Sequence, residues 1–232
     1  MRKFDYTFLK KISVPADIMN SATSIYEMKA KAELRRTDFA EVFSAIESVA
    51  KIQSVKSSNA IKWIIMTDKR IRDIVNKSTA PQGHNELEIA GYRDALDLIH
   101  SSYSDIPFSE KSILELHRML LQPSGDDLAG KYKTEDNSIM EIDREGVRSV
   151  RFTPVPAGET STAMEQLILA YHAAYLEAEI NPLLLIPCVI LDFLCIHPFR
   201  GGNGRMSRLL SLLLLYKSGF SSGKYVSIAY PY

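Results

Sequence analysis

The sequence predicts a mainly α-helical bundle interrupted by one short β-hairpin. Apolar residues recur at helical spacing along most of the chain, a pattern typical of amphipathic helices. Two stretches, 183–196 and 206–216, are apolar nearly all round, which indicates helices in the middle of a bundle. In residues 146–157, by contrast, Val150 and Phe152 alternate with polar neighbours and prolines follow, so we expect a hairpin whose turn is Asp143–Gly146.

The remaining helices are predicted from apolar stripes that begin at capping residues. Asp38 and Glu41 have the spacing of a capping box. The stripe that follows them consists of Phe39, Val42, Phe43, Ile46 and Val49. Further helices are expected to start at Thr67, Asn85, Ser109 and Ser161. Together these segments predict a bundle with little regular β structure.

Charge and hydropathy exclude several classes of protein. The 232 residues include 28 Lys and Arg against 28 Asp and Glu, which argues against binding nucleic acid or a membrane surface through bulk charge. The N-terminus carries Asp5, Lys10 and Lys11 where a signal peptide would be apolar. The most apolar segment, 182–196, is shorter than the ~20 residues of a membrane span. We therefore expect a cytoplasmic protein, or one exported without a signal peptide of this kind.

The stretch HPFRGGNGRMSR, residues 197–208, has the composition of a phosphate-binding loop. Gly201, Gly202 and Gly204 allow the backbone to approach a ligand closely. At the start of a helix, their amides and the helix dipole favour an anion. Arg205 and Arg208 are three residues apart, which places them side by side on one helix face. The pattern predicts a site for a polyphosphate.

His197 lies at the other edge of the same loop and is a candidate general base. A histidine near its ordinary pKa can take a proton from an incoming hydroxyl. A single histidine at a helix end is more often a capping or packing residue. Its combination with a glycine loop and two arginines favours a reaction in which a hydroxyl attacks a nucleotide phosphate.

These residues resemble the signature of the Fic family (filamentation induced by cAMP), which reads His-Pro-Phe-x-(Asp/Glu)-Gly-Asn-Gly-Arg-x-x-Arg. The similarity extends from about residue 39 to residue 225. It includes the segments SVKSSNAI, EIAGYRDAL, GKYK, VRFTPVPA and DFLCIHPF, in the family's order. The resemblance implies a Fic-type helical bundle with a hairpin flap. It divides the chain into an N-terminal helical region, 1–80, and a Fic core, 81–232.

The resemblance also implies an activity, the transfer of AMP from ATP to a hydroxyl of a target protein. His197 would deprotonate that hydroxyl, and Phe199 would anchor the loop. The phosphates of ATP would be held by Gly202, Asn203, Gly204, Arg205 and Arg208. The hairpin would dock the target by strand addition through Val150, Arg151, Phe152, Thr153 and Pro154.

The chain departs from the family pattern at the metal-binding acid. Gly201 occupies the position whose carboxylate coordinates Mg²⁺ in relatives. Mg²⁺ normally keeps several waters but needs a carboxylate near the phosphates. We expect no metal ligand from the protein here, weak retention of Mg²⁺ by the phosphates and water, and lower catalytic efficiency.

A second departure lies in SSNAIKW, residues 57–63, which resembles the family's autoinhibitory helix. The matching residues are Ser58, Lys62 and Trp63, and Lys62 replaces a glutamate that pairs with the second motif arginine. The resemblance therefore predicts that this inhibitory pairing is absent. Lys62 either makes the γ-phosphate pocket more basic or points into solvent.

The sequence leaves several alternatives open. The chain is either an adenylyltransferase or a Fic-fold module that binds a nucleotide or a partner without catalysis. Relatives also transfer UMP, phosphate or phosphocholine, or remove AMP, although Lys62 argues against removal. Tyr132 and Lys133 either contact nucleotide or target or lie in an exposed loop, and self-association is a further possibility. The other histidines, interpreted as surface or packing residues, are His84, His100, His117 and His172.

Overall fold

The computed structural model describes residues 4–61, 64, 66–143, 145–177 and 179–228. Within these ranges the chain forms eight α-helices, one two-stranded sheet and several short 3₁₀ turns. The elements are α1 (Ala16–Arg35), α2 (Ala40–Ala60), α3 (Asp68–Val75), α4 (Gly83–Ser102), α5 (Glu110–Leu121), β1 (Ile139–Ile142), β2 (Arg148–Phe152), α6 (Thr160–Leu176), α7 (Pro182–Ile196) and α8 (Asn203–Lys217). The predicted helical bundle with a hairpin is confirmed.

Helix α8 is the central element of the bundle. It packs against α7, α4, α2 and α5, and most of its side chains are buried. Helix α7 is more peripheral than its apolar sequence indicates, since Leu191 is 60% exposed. One continuous core includes Leu213 of α8 together with Val55 and Ile71 from the N-terminal region. The predicted boundary at residue 80 stays a prediction.

Two of the expected helix starts are confirmed and others are wrong. The side chains of Thr67 and Ser109 accept backbone hydrogen bonds as N-caps of α3 and α5. The capping box at Asp38 is absent, because α2 begins after Phe39 with no side-chain cap. Helix α4 begins at Gly83 rather than at Asn85. Local spacing identified each helix but not always its first residue.

Helices α1 and α2 expose apolar side chains that the core does not use. In α2 the stripe that contains Val42, Ile46 and Val49 faces solvent. The opposite face, with Ala50, Ser54 and other small residues, packs on the bundle. Small side chains allow a close helix approach, and this decided which face was buried.

The hairpin is antiparallel, with Met140 opposite Val150 and an irregularity in register between Ile139 and Met140. Its turn is closed by Asp143, whose carboxylate accepts hydrogen bonds from the backbone of Glu145 and Val147. This confirms the predicted hairpin. Among the residues that the structure describes, no helix has both the length and the apolarity needed to cross a membrane.

Candidate active site

The motif loop joins the end of α7 to the start of α8. His197 ends α7 in the left-handed conformation, with φ of 51° and ψ of 59°, and its N–H donates to the Phe193 carbonyl at 3.0 Å. Gly202 precedes α8 with φ of 80° and provides no side-chain cap. The first N–H groups of a helix have no intrahelical acceptors, so the start of α8 presents donors to a ligand.

Phe199 and Asn203 hold the loop in shape. The Phe199 side chain is fully buried and stacks on the ring of His117, with 3.6 Å between centroids. The Asn203 amide accepts a hydrogen bond from the Phe199 N–H at 3.0 Å and donates one to the Phe199 carbonyl at 2.7 Å. The Asn203 side chain therefore braces the loop, and only its backbone is left to meet a phosphate.

His117 supports the loop from α5, at Phe199 and Gly201. Its Nδ1 accepts a hydrogen bond from the Gly130 N–H at 3.0 Å, so its Nε2 carries the proton and donates to the Gly201 carbonyl at 3.0 Å. Burial lowers the pKa of His117 to about 4, opposed by its contact with Gly201. A neutral, fixed imidazole is thus part of the loop's support.

The His197 ring is half-buried at the edge of the site. Its Nδ1 is buried and makes no hydrogen bond within the described part of the chain. Burial lowers the pKa of His197, the Leu194 backbone opposes this, and the charge of Lys133 adds to the lowering. The ring is therefore neutral at neutral pH, the state that a proton acceptor needs.

The glycines differ in what they allow. A side chain at Gly202 would be strained by its positive φ and would press on Leu120 and His117. A Cβ at Gly201 would meet no atom within 4 Å. The position of the missing carboxylate is therefore open space, and the bundle would accept an acidic side chain there.

The two motif arginines diverge, although their spacing predicts neighbours on one face. Arg205 is 3% exposed and pairs through NH1 with the buried Glu88 carboxylate at 2.9 Å. Its NH2 is buried and has no hydrogen-bond partner among the described residues. Glu88 also contacts His84 Nε2 at 3.0 Å. Burial lowers the pKa of Arg205, and Glu88 opposes the change.

Arg208 lies against the end of α2. Its Nε donates to the Ser58 hydroxyl at 2.8 Å, and its NH2 donates to the Ser58 carbonyl at 3.0 Å. The fully buried Tyr92 of α4 completes this cluster, and burial raises its pKa while Ser58 and Arg208 oppose the increase. The predicted regulatory residues Lys62 and Trp63 lie outside the described residues. Ser58 itself is the hydrogen-bond partner of Arg208, the second motif arginine, in place of the glutamate of relatives.

The hairpin is attached beside the loop. Asn137, just before β1, donates to the Phe199 carbonyl at 3.3 Å, and Asp136 accepts from the Ala157 N–H at 2.7 Å. Both strands have an outer edge with no strand partner among the described residues. Residues Val150, Arg151 and Phe152 lie in β2, and Thr153 and Pro154 follow it. Their role in target docking stays a prediction.

The sequence interpretation missed three supporting residues. Lys133 is buried rather than part of an exposed loop. His117 is a buried link to the motif, and its position four residues after Ile113 places it on the apolar face of α5. Glu88 lies four residues before Tyr92, on the buried side of α4. Helical spacing from a core residue was the available signal for His117 and Glu88.

Comparison with known proteins agrees with this geometry. The profile of the Fic/DOC family matches residues 107–215. The protein adenylyltransferase Fic of Nematostella vectensis is 28% identical over 181 residues, which cover 74% of this chain and 39% of that protein. The protein adenylyltransferase fic-1 of Caenorhabditis elegans is 28% identical over 194 residues, covering 81% of this chain and 33% of the relative. The chain thus spans about two fifths or less of these relatives.

Two solved structures have the same fold. A Fic domain containing signaling protein from Bacteroides thetaiotaomicron has a TM-score of 0.71 at 22% identity, over 85% of this chain and 72% of that one. A Fic family protein from Desulfovibrio desulfuricans has a TM-score of 0.72 at 19% identity, over 89% and 59% respectively. Residues 107–215 therefore form a Fic domain of the Fic/DOC family.

Proposed function

We propose that this chain transfers AMP from ATP to a hydroxyl group of a target protein. The observation that carries the proposal is the arrangement of one loop, in which His197 ends α7 and the uncapped first turn of α8 follows. The relatives named protein adenylyltransferase support the same reaction. A cytoplasmic location and a protein target belong to the proposal, and self-association stays a prediction.

His197 is the base in this proposal. It accepts the proton of the target hydroxyl as the oxygen attacks the α-phosphorus, and pyrophosphate leaves. Its pKa is lowered first by burial, so the neutral ring persists at neutral pH. Activity is lost as the pH falls through that lowered pKa, because the protonated ring has no lone pair to accept the proton.

The phosphates of ATP bind at the head of α8. Backbone N–H groups of Gly202, Asn203 and Gly204 lie at the start of α8, the positive end of the helix dipole, which favours an anion. Arg208 adds a guanidinium at the far side of the first turn, where a terminal phosphate would compete with Ser58. Arg205 is paired with Glu88 through NH1, so its buried NH2, which has no hydrogen-bond partner among the described residues, is the group left for a phosphate.

A Mg²⁺ ion held by protein ligands does not fit these residues. The motif position that would supply the carboxylate is Gly201, and no group of three or more potential metal-ligating side chains occurs among the described residues. ATP normally brings Mg²⁺ with it, and here the phosphates and water would have to hold the ion. The proposal therefore uses no protein–metal step and predicts a slow transferase.

A second candidate function is a nucleotide-binding module without catalysis. Two observations favour it. Gly201 stands where relatives have the metal-binding acid, and Arg208 is already hydrogen-bonded to Ser58. The same module would keep the phosphate-binding helix end and His197. It would bind ATP and modify nothing.

Intact-mass spectrometry after incubation with ATP and Mg²⁺ or Mn²⁺ separates the two functions. The protein is tested alone and with a lysate, as wild type, His197→Ala and Gly201→Glu, with the exposed His172→Ala as a control. The transferase proposal predicts slow adenylylation by the wild type, at least about tenfold faster modification by Gly201→Glu, and none by His197→Ala. Bound ATP with no modification in any variant would favour the module instead.

A further inference from the structure

Lys133 is a buried lysine in the segment between α5 and the hairpin. Its side chain is 4% exposed. An ammonium group is rarely buried unless it is paired or hydrogen-bonded, because it loses its hydration. The position of this charge therefore requires a structural or chemical reason.

The contacts of Lys133 and Asn137 surround the backbone of His197. The Lys133 N–H donates to the Pro198 carbonyl at 2.9 Å, and its Nζ donates to the Ile196 carbonyl at 3.3 Å. The same Nζ donates to the Asn137 side chain at 2.8 Å, and Asn137 in turn donates to the Phe199 carbonyl at 3.3 Å. Carbonyls on both sides of His197 are thus held by one short segment.

His197 needs such support because its backbone is left-handed, with φ of 51°. A residue with a side chain is strained in this conformation and keeps it only where its surroundings enforce it. The Ile196 carbonyl is also one of the unpaired acceptors at the end of α7, where a positive charge is favourable. A lysine ammonium satisfies both requirements.

We propose that Lys133 is a positioning residue for His197. Together with Asn137, it fixes the left-handed turn that sets the ring at the edge of the loop, and it keeps a positive charge beside the ring. That charge disfavours the imidazolium and adds to the effect of burial, which is the main reason that His197 is a neutral proton acceptor. The proposal rests on the role of His197 as the base in the proposed transferase.

The titration behaviour of both groups agrees with this geometry. The pKa of His197 is lowered first by burial and further by Lys133, with the Leu194 backbone opposing. The pKa of Lys133 is itself lowered by burial, and Asp136 opposes that change. Among the described residues, Lys133 is the charged side chain that acts on the His197 ring, and Asp136 acts on Lys133.

An NMR pH titration of the His197 imidazole tests the proposal. The spectra compare the wild type with Lys133→Gln, which keeps a hydrogen-bond donor without the charge, and Lys133→Arg, which keeps the charge. The exposed Lys131→Gln is the matched control, and His197→Gln identifies the signal. Lys133→Gln should raise the His197 pKa by about half a unit to one unit, the scale of one nearby charge. Lys133→Arg and Lys131→Gln should shift it by less than about 0.3 units.

An unchanged His197 pKa in Lys133→Gln would overturn the proposal, as would an equal shift in Lys131→Gln. If Lys133→Gln does not fold, Asn137→Ala keeps the charge and removes two hydrogen bonds, one to Lys133 Nζ and one to the Phe199 carbonyl. The His197 pKa should then stay within about 0.3 units, while the amide signals of residues 196–199 move. Amide signals that do not move would contradict the positioning role.

The titration needs no transferase activity, so the two proposals fail separately. If the His197 pKa changes in Lys133→Gln but the protein transfers no AMP, only the proposed function is contradicted. Where transfer is measurable, Lys133→Gln should move the acid limb of its pH profile to higher pH. Its affinity for ATP should stay within about twofold of the wild type, since Lys133 contacts backbone on the His197 side of the loop.

Discussion

The two ends of the motif loop are supported in different ways. At the His197 end, backbone carbonyls are held by Lys133 and by His117, and the space beyond Gly201 is open. At the arginine end, side chains are paired with groups of α2 and α4, and Arg208 is covered by Ser58. The His197 end has open space at Gly201 but lacks an acidic side chain. The arginine end has positive charge, but its side chains are already paired.

This difference indicates where a substitution can restore function and where a ligand meets competition. A single carboxylate at Gly201 would meet empty space, so the missing ligand can be restored without repacking. A phosphate at Arg208 must instead compete with a hydroxyl and a carbonyl that are already hydrogen-bonded. Function at the His197 end is limited by the missing carboxylate. Phosphate binding at the arginine end is limited by the hydrogen bonds that Arg208 already makes to Ser58.

Gly91→Ala should disturb α4, the helix that carries Glu88 and Tyr92 of the arginine end. A Cβ at Gly91 would overlap the Leu120 carbonyl oxygen, where α4 passes closest to α5. Because backbone cannot yield cheaply, we expect a loss of about 3 kcal/mol or more in the free energy of unfolding, measured by urea denaturation. Gly158→Ala is the control, since a Cβ there meets no atom within 4 Å. Similar stability of both variants would be evidence against the close helix contact.

His117→Ala should weaken the His197 end. It deletes a buried ring, its stack on Phe199 and its hydrogen bonds to Gly201 and Gly130. The expected loss is about 2 to 3 kcal/mol in the free energy of unfolding, from the cavity and the unpaired groups. The exposed His172→Ala should lose less than about 1 kcal/mol. Equal losses would mean that the His117 contacts add nothing.

Acidification should destabilise the protein through His117. Its folded-state pKa is about 4, below the ordinary value of 6.5, so the unfolded chain binds more protons between these values. The contribution of His117 is therefore full above pH 6.5 and falls by about 2 kcal/mol between pH 7 and pH 5. Burial also lowers the pKa of His100 to about 4, so His100 adds a loss of similar size in the same pH range. Urea titrations at both values measure this loss. In His117→Gln the slope should decrease by that amount, and an unchanged slope would assign the effect to other groups.

Ser58→Ala should have the smallest effect, a gain of about two- to fivefold in ATP affinity. The substitution removes the hydroxyl that accepts from Arg208 Nε and leaves the carbonyl contact, so the guanidinium becomes partly available. Calorimetric titration with ATP measures the change. The matched control is Ser57→Ala on the same helix, where Gln53 contacts the hydroxyl. A gain in ATP affinity in both variants, or in neither, would argue that the Ser58 hydroxyl does not compete with ATP for Arg208.

Sequence patterns predicted the elements better than their partners. The caps at Thr67 and Ser109 and the alternation at Val150 depend on neighbours in the chain, and the structure contains them. The burial of α2 depended instead on which face found a partner, and the small-residue face packed while the stripe with Val49 stayed exposed.

The site shows the same limit. The glycine loop and His197 were readable in twelve consecutive residues. The family resemblance placed the segment with Ser58 opposite Arg208, but the hydrogen bonds between these two residues, 150 positions apart, were not predicted, because they depend on how α2 crosses α8. Asn203 was expected to hold a phosphate, but its side chain bonds to the backbone of Phe199 within the loop, since a buried amide must satisfy its hydrogen bonds.

We propose that the uncapped start of α8 binds nucleotide phosphates without a metal ligand from the protein. Calorimetric titration of ATP, with Mg²⁺ and again with EDTA, tests it most directly in the wild type and in Gly201→Glu. We expect the wild-type affinity for ATP to change by less than about threefold between the two conditions, and Gly201→Glu to bind ATP at least about tenfold more tightly with Mg²⁺ than with EDTA. A wild type that does not bind ATP, or that depends on Mg²⁺ as strongly as Gly201→Glu, would contradict it.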